Sequence, residues 1–348
     1  MDSTALEIKK HYDAGGPLFT RDGIQRISKH LGAIQGIPPH TSLDITLTGI
    51  NGYTYQITIG GDHFLHPTGE DLKWVIVYRS IQSLTANTDR EFRCPETAWL
   101  SLGIEACARV PEPPPDEQNR LLKGYKHIER EWKASMAHGE LRKTFSAIKT
   151  RIALDKLIAV ALGPLAFGEQ HWDPSMIQHA QWQQSTSQHS QWPQSTTQYA
   201  HSKQSMTQHA LVSAIRSNLL QRGIMSASSK LYVQDRAYTQ VDRSVLSSTG
   251  FKIVNDPDAF LMLDDSSILV SIDPGIPVKQ IVADICRPAI VIWNKARNDE
   301  DSLGFYCTDP TSPRVDKMLK KEYKEFEFPV HENYPDLVMY VRKTAIRK

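Results

Sequence analysis

Between Lys156 and the end of the chain, short apolar runs recur at intervals, and segments of helical spacing lie between them. This alternation restricts the fold more than any other feature. The runs are Leu157–Leu162, Lys230–Asp235, Phe251–Val254, Ile268–Ile272, Ala289–Trp293 and Leu337–Val341. They are four to six residues long and rich in Val, Ile and Leu, as strands buried on both faces are. Between them, helical spacing is read from Gln208 to a stop at Gly223, over Val241–Leu246 before Gly250, over Val278–Asp284 and over Val315–Phe326. Strand–helix alternation implies βαβ units. The expected class is therefore α/β, a Rossmann-like, mainly parallel sheet with flanking helices. Val160 and Val233 are expected as core residues of adjacent strands.

The first 110 residues follow a different grammar. Thr20 is placed to cap a helix carrying Ile24, Ile27 and Leu31 at helical spacing. Leu43–Leu47 and Tyr53–Ile59 alternate strictly around a Gly49–Gly52 turn, which predicts a hairpin. Trp74–Tyr78 fits a strand or part of a helix. The expected organisation is a small α+β module over 1–110, then a Pro-rich linker and helical connector over 111–150 anchored by Trp132. An α/β domain follows over 151–348.

The α/β domain is interrupted by a decapeptide repeat. Gln178-His179-Ala180-Gln181-Trp182 recurs as Gln188-His189-Ser190-Gln191-Trp192, then as Gln198-Tyr199-Ala200 and Gln208-His209-Ala210. One aromatic residue per unit and no aliphatic pattern cannot stack into a solenoid core. The expectation is a low-complexity, poorly ordered insertion at about 170–207, placed in a βα loop and dispensable for folding. Its His residues recur at ten, whereas helical metal ligands lie three or four apart. Metal binding is not expected. With one Lys and no Arg it also lacks the charge that grips phosphates.

Over the whole chain of 348 residues the net charge is +1, so neither direct nucleic-acid binding nor a membrane surface is expected. The opening MDSTALEIKK has no apolar signal segment, and no run of 18 apolar residues occurs. Cys94, Cys107, Cys286 and Cys307 are scattered, which fits a cytoplasmic or nuclear setting. Cys94-Pro95 suits a haem thiolate in principle, but an isolated pair reads more simply as a turn.

No GxSxG, HExxH or phosphate loop is present. In open parallel sheets, ligands bind beyond the carboxyl ends of the strands. Gly163, Asp235 and Asp273 follow three such ends, His209 opens the expected first helix, and Tyr238 lies just past Asp235. These five are the candidate cofactor-binding residues. Asp235 has the place of a ribose-binding acid, or it caps the following turn. Asp273-Pro274 is otherwise a plain turn. Asp256, Asp258, Asp264, Asp265 and Asp273 are read as solvated loop acids rather than metal ligands.

The segments LIAVALGP, QHALVSAIRSNLL and YVQDRAYTQVDRSVL, continuing to PAIVIW, resemble the sensitivity-to-red-light-reduced (SRR-like) domain family in its filamentous-fungal form. The likeness covers about 150–300 and extends to LVMYVRK; YDAGGPLFTRDGI is similar to the fungal leader. It implies a regulatory role, linked in plants to light and circadian signalling and in yeast and animals to tetrapyrrole or haem metabolism and cytoskeletal phenotypes. No family catalytic set carries over. The family's GLGS-type turn stands here as Ala161-Leu162-Gly163-Pro164, and its QDP-type motif as Gln234-Asp235-Arg236. The expected function is a regulatory or interaction protein, leaning away from catalysis, with a protein partner of unknown identity and no known cofactor. The alternative is an enzyme or sensor binding a nucleotide-type ligand, S-adenosylmethionine or a dinucleotide.

Overall fold

The computed structural model describes residues 3–61, 72–86, 95–114, 116–148, 152–166, 194–295, 308–334 and 336–346, with 194–201 as helix backbone alone. Two compact units emerge. One holds Met1–Arg109 with Ile276–Cys286 and Thr308–Asp316; the other holds Val110–Gly275, Arg287–Cys307 and Lys317–Lys348.

In the first unit, α1 (Ser3–Asp13) and α2 (Arg21–Ile34) precede the antiparallel hairpin of β1 (Leu43–Thr48) and β2 (Thr54–Ile59). Thr20 caps α2 by accepting from the Gly23 amide at 3.0 Å. The Trp74 region is a strand: β3 (Leu72–Tyr78) pairs antiparallel with β4 (Leu102–Ala108), and the short α3 (Ile81–Thr85) lies between them in sequence. The leader is held from the far end of the chain. Asp284 Oδ2 accepts from the Leu18 and Phe19 amides at 2.8 and 3.1 Å. Arg314 pairs with Asp284, donates to the Tyr12 and Gly16 carbonyls, and lies 4.0 Å over the Tyr12 ring. This is why 276–286 and 308–316 group with the N-terminal residues. Cys94 lies outside the described residues.

In the second unit, α4 (Glu117–Ala134) and α5 (Met136–Ala147) come first, separated at Ser135, whose hydroxyl caps α5. The sheet follows: β5 (Leu154–Val160), β6 (Met225–Gln234), β7 (Lys252–Ile253), β8 (Ser267–Ser271), β9 (Ile290–Asn294), β10 (Tyr323–Glu327) and β11 (Leu337–Arg342). Its order is β10-β11-β9-β8-β5-β6-β7. Strands β5 to β9 run parallel; β10 and β11 are antiparallel additions. The chain thus starts at β5, winds out to β7, and returns across β5 to β8. The order in which strands are added reverses between β5 and β8, the switch point of a Rossmann-like sheet.

The later helices of this unit are α6 (Gln194–Gln221), α7 (Gln240–Ser248) and α8 (Asp258–Met262); α9 (Val278–Ile285) belongs to the first unit, and α10 (Pro313–Glu322) begins in the first and ends in the second. One sheet face, bearing Leu157, Ala159, Leu231, Val233, Ile268 and Ile290, is buried with Tyr125, Trp132, Phe145, Leu211, Ile215 and Val245 of α4 to α7. Helices α4 and α5 are therefore part of this core. Val160 and Val233 are buried at 1% and 0% exposure on neighbouring strands.

Two sequence expectations are corrected. The helix read over Val315–Phe326 ends at Glu322, and Tyr323–Glu327 is the edge strand β10. Its sequence, YKEFE, spaces Tyr323 and Phe326 three apart as a helix would, and it is the antiparallel pairing with β11 that holds it extended. The second correction bears on function. Helix α6 does not begin at Gln208; it is already helical at Gln194, inside the last repeat copies. Ser205, Met206, Thr207 and Gln208 are buried, so this part of the repeat is packed structure. The remaining copies lie outside the described residues.

Candidate functional site

Gly163, Asp235 and Asp273 follow β5, β6 and β8, three neighbouring parallel strands, and so share the carboxyl edge of the sheet. The switch point lies between the first and the third. The chain turns sharply there. Ala161 (φ 58°) and Asp273 (φ 49°) are left-handed without being glycine, and Gly163 (φ 77°) is left-handed as glycine permits.

The turn after β5 carries the amides that hold phosphate in dinucleotide-binding sheets. Here they are already engaged. The Ala161 amide donates to the Gln234 carbonyl at 2.9 Å. The Gly163 amide donates to Asp235 Oδ2 at 2.8 Å. The Leu165 and Ala166 amides donate to Asp242 Oδ1 at 3.0 and 3.1 Å. Pro164 has no amide hydrogen. Two carboxylates of the chain thus occupy the turn, where a Rossmann site would place its ligand's phosphates.

Asp242 is fully buried, and its other oxygen accepts from the Thr239 amide at 2.9 Å and hydroxyl at 2.8 Å, closing a capping box on α7. Burial raises its pKa, and the hydrogen bonds from Thr239, Ala166 and Leu165 oppose that rise. The Thr239-x-x-Asp242 spacing is the sequence signal for this role. Asp235 likewise turns its Oδ1 to the Ala237 amide at 2.8 Å.

His209 and Tyr238 meet, but in the interior. They are 0% and 6% exposed, and His209 Nε2 lies 2.7 Å from the Tyr238 hydroxyl. His209 Nδ1 lies 2.8 Å from the Ser205 carbonyl, which only accepts, so Nδ1 carries the hydrogen and Nε2 accepts from Tyr238. Burial lowers the His209 pKa to about 4 and, with the nearby Asp235 and Asp242 charges, holds the Tyr238 pKa far above its usual value. The pair is neutral near pH 7. One turn earlier, Ser205 Oγ donates to the Leu162 and Gly163 carbonyls at 2.9 and 2.8 Å, clipping α6 to the turn. Sequence reasoning missed Ser205 because it stands inside the repeat.

His209 is therefore not at a helix start. Ser205 marks where α6 passes the edge, and the helix begins at Gln194, about 16 Å further out along its axis at 1.5 Å per residue. Near Gly163 its amides are interior ones, bonded within the helix, so no anion is drawn there by a helix N-terminus. Asp273 is exposed beyond β8, its amide donating to Asn294 Oδ1 at 2.7 Å. The Ser271 hydroxyl, buried at the end of β8, has no hydrogen-bond partner. Among the described residues no three His, Cys, Asp or Glu side chains gather as a metal site, and no helix is long and apolar enough to cross a membrane.

The family model described as the SRR1 domain matches residues 141–341, more than half of the chain. The chain belongs to the SRR1 domain family. Its match opens within α5 and closes at the end of β11, so it takes in the whole seven-stranded sheet together with the turn that Asp235 and Asp242 fill. Comparison with curated proteins gives no match.

Proposed function

We propose that this SRR1-domain protein acts as a regulatory or interaction protein without catalysis of its own. In the fungal form of the family, its setting is the cytoplasm or nucleus and its sphere is light, circadian or tetrapyrrole-related regulation. The carrying observation is the turn after β5. Its amides are bonded to Asp235, Asp242 and the Gln234 carbonyl, and two carboxylates would repel a phosphate there. The buried His209–Tyr238 pair supports the same reading, because a neutral, mutually satisfied pair in the interior is a packing device. The function then lies in the surface that the fold presents to a protein partner.

A second reading keeps one specific support. Left-handed Ala161 and Asp273 and the unpartnered Ser271 hydroxyl lie together at the switch point, where strained backbone and unsatisfied groups often mark ligand contacts. A nucleotide-type ligand bound there would use its sugar or base rather than its phosphates.

Mass spectrometry of small molecules released from the purified, denatured protein separates the two. The regulatory reading expects none at stoichiometric level and a reproducible co-purifying protein. A stoichiometric nucleotide, S-adenosylmethionine or tetrapyrrole would replace it with the second.

A further inference from the structure

The opposite, amino edge of the same sheet carries an arrangement that the SRR1 reading does not use. Strands β5 and β6 pair at Leu154↔Met225 and again at Lys156↔Lys230. Between these pairs β5 has one residue and β6 has four, Ser226–Ser229, which bulge outward. The bulge is ordered by its own serines. The Ser226 amide donates to Ser229 Oγ at 3.1 Å, Ser226 and Ser228 hydroxyls lie 2.7 Å apart, and Ser229 Oγ donates to the Leu154 carbonyl at 3.2 Å. A cavity of about 390 Å³ opens beside it, bounded by the bulge, Lys156, Lys230, Asp155, Tyr232 and Met262.

The register makes Lys156 and Lys230 direct cross-strand neighbours on one face, a like-charge pair that costs stability unless neutralised. Lys156 has its counter-charges built in: Asp264 at 2.5 Å and Asp155 at 3.3 Å. Its pKa is raised; burial pulls it down, and the two carboxylates outweigh that pull. Lys230 is exposed, and among the described residues no hydrogen bond or ion pair holds it. The bulge beside it adds the exposed hydroxyls of Ser226 and Ser228, which bond to each other and can turn to donate to the same anion. Asp155, which also lines the cavity, already accepts from the Ser266 hydroxyl at 2.9 Å and keeps lone pairs for a further hydroxyl donor, and Tyr232 and Met262 complete the lining.

We propose that this cavity binds a small phosphorylated polyol of the sugar-phosphate class. Its phosphate sits on Lys230 and the Ser226 and Ser228 hydroxyls, and a sugar hydroxyl donates to Asp155. Lysine acts here as a point charge and the hydroxyls fix the direction, a common division of labour at phosphate sites. The competing account of Lys230 is edge protection. Outward of β6, β7 pairs only with Tyr232 and Val233, and a lysine on an exposed edge blocks strand addition.

The test titrates the full chain with ribose 5-phosphate, inorganic phosphate and ribose, following binding by calorimetry and amide shifts. Saturable binding of ribose 5-phosphate is expected, weaker binding of inorganic phosphate, and least of ribose. Lys230→Ala should weaken ribose 5-phosphate by about ten-fold, as loss of one charge-assisted contact does. Lys230→Arg should restore most of it, and S226A combined with S228A should weaken it by several-fold. Absence of saturable binding up to about 10 mM, where affinity is too weak to be specific, overturns the proposal. So does a K230A protein that binds as the parent does, whether or not it aggregates. The outcome is distinguishable from that of the released-ligand experiment, because Asp235 does not line this cavity and Asp235→Asn should leave ribose 5-phosphate binding unchanged.

Discussion

The two edges of one sheet use the same residue types in opposite ways. At the carboxyl edge, Asp235 and Asp242 accept from the turn amides, Ser205 holds the turn carbonyls, and His209 and Tyr238 satisfy each other. At the amino edge, Lys230 stands toward solvent beside a cavity without a partner among the described residues, next to the exposed, mutually bonded Ser226 and Ser228 hydroxyls. A polar group whose partner lies within the chain contributes to folding, and one without a partner is available to a ligand. Position at the expected rim of a Rossmann-like sheet does not decide between these; the partner does.

The comparison breaks first at Asp242. Asp242→Ala leaves the buried amides of Leu165, Ala166 and Thr239 without an acceptor and should cost about 3–5 kcal/mol. Lys230→Ala, on an exposed site, should stay within about 0.5 kcal/mol. Urea unfolding of the two variants checks this. A cost below about 1 kcal/mol for D242A would mean that the turn does not depend on its carboxylate.

The next effect is one of register. The residues before Gln208 are Ser205-Met206-Thr207, all buried. The residues before Gln178, at the start of the repeat, are Ser175-Met176-Ile177. Deleting 178–207 therefore rejoins Ser-Met to the Gln-His-Ala sequence and keeps the clip to Leu162 and Gly163. The melting temperature should stay within a few degrees, since Ser and Met return to the buried positions of α6 and the rest of the change is in chain length, which enters only logarithmically. Deleting 183–207 instead puts Ala180-Gln181-Trp182 at those positions. Losing the Ser205 clip and Met206 burial should cost about 3 kcal/mol, roughly 10 °C in a domain of this size. Equal melting of the two deletions would show that Ser205 and Met206 carry no weight.

Much of the fold was legible in the sequence because buried parallel strands announce themselves. The apolar runs at Leu157, Ile268 and Ala289 need no context to be read. The hairpin at Leu43–Ile59 and the Thr20 cap were legible because each is a local pattern with a local cause. The end of α10 was misread because Tyr323–Glu327 owes its extended form to pairing with β11, a tertiary contact. The start of α6 was missed because Gln, Ser and Thr carry no helical periodicity of their own, and packing at Ser205–Gln208 supplies the order instead. At the candidate site, Gly163 and Asp235 lie together on the edge, the amide of one bonded to the carboxylate of the other. The engagement of the turn by Asp242 needed the fold, since 77 residues separate Leu165 from it.

A smaller effect is expected from pH. His209 has a folded pKa of about 4 against about 6.5 unfolded. Between these values the unfolded chain binds the extra proton, so stability falls as pH drops from about 6.5 toward 4 and is untouched above. The share from this one group reaches about 3 kcal/mol at the acid end. The His331 pKa is also lowered by burial and acts in the same direction. His209→Gln should flatten the acid limb of the stability profile relative to the parent. Tyr238→Phe should cost about 1–2 kcal/mol at pH 7 by leaving Nε2 unpaired. If the H209Q profile parallels the parent from pH 7 to 4, the imidazole is not buried neutral in solution.

The smallest effect asks whether the switch point stores strain for a ligand. Ala161 holds a left-handed φ of 58° immediately after β5. A Cβ in that conformation costs about 1–2 kcal/mol, which glycine avoids, although glycine also loses more chain entropy on folding. The two opposing terms leave Ala161→Gly about 0.5–1 kcal/mol more stable than the parent. If the strain is only the geometric cost of the tight turn that Asp242 holds, relieving it should leave partner binding intact. If it instead serves the second reading, the more stable A161G should lose affinity for whatever occupies the edge between β5 and β8. Thermal unfolding and partner pull-down on the same variant distinguish these. A gain in stability with binding retained assigns the left-handed turn at Ala161 to folding and leaves left-handed Asp273 and the unpartnered Ser271 hydroxyl as the support for the second reading.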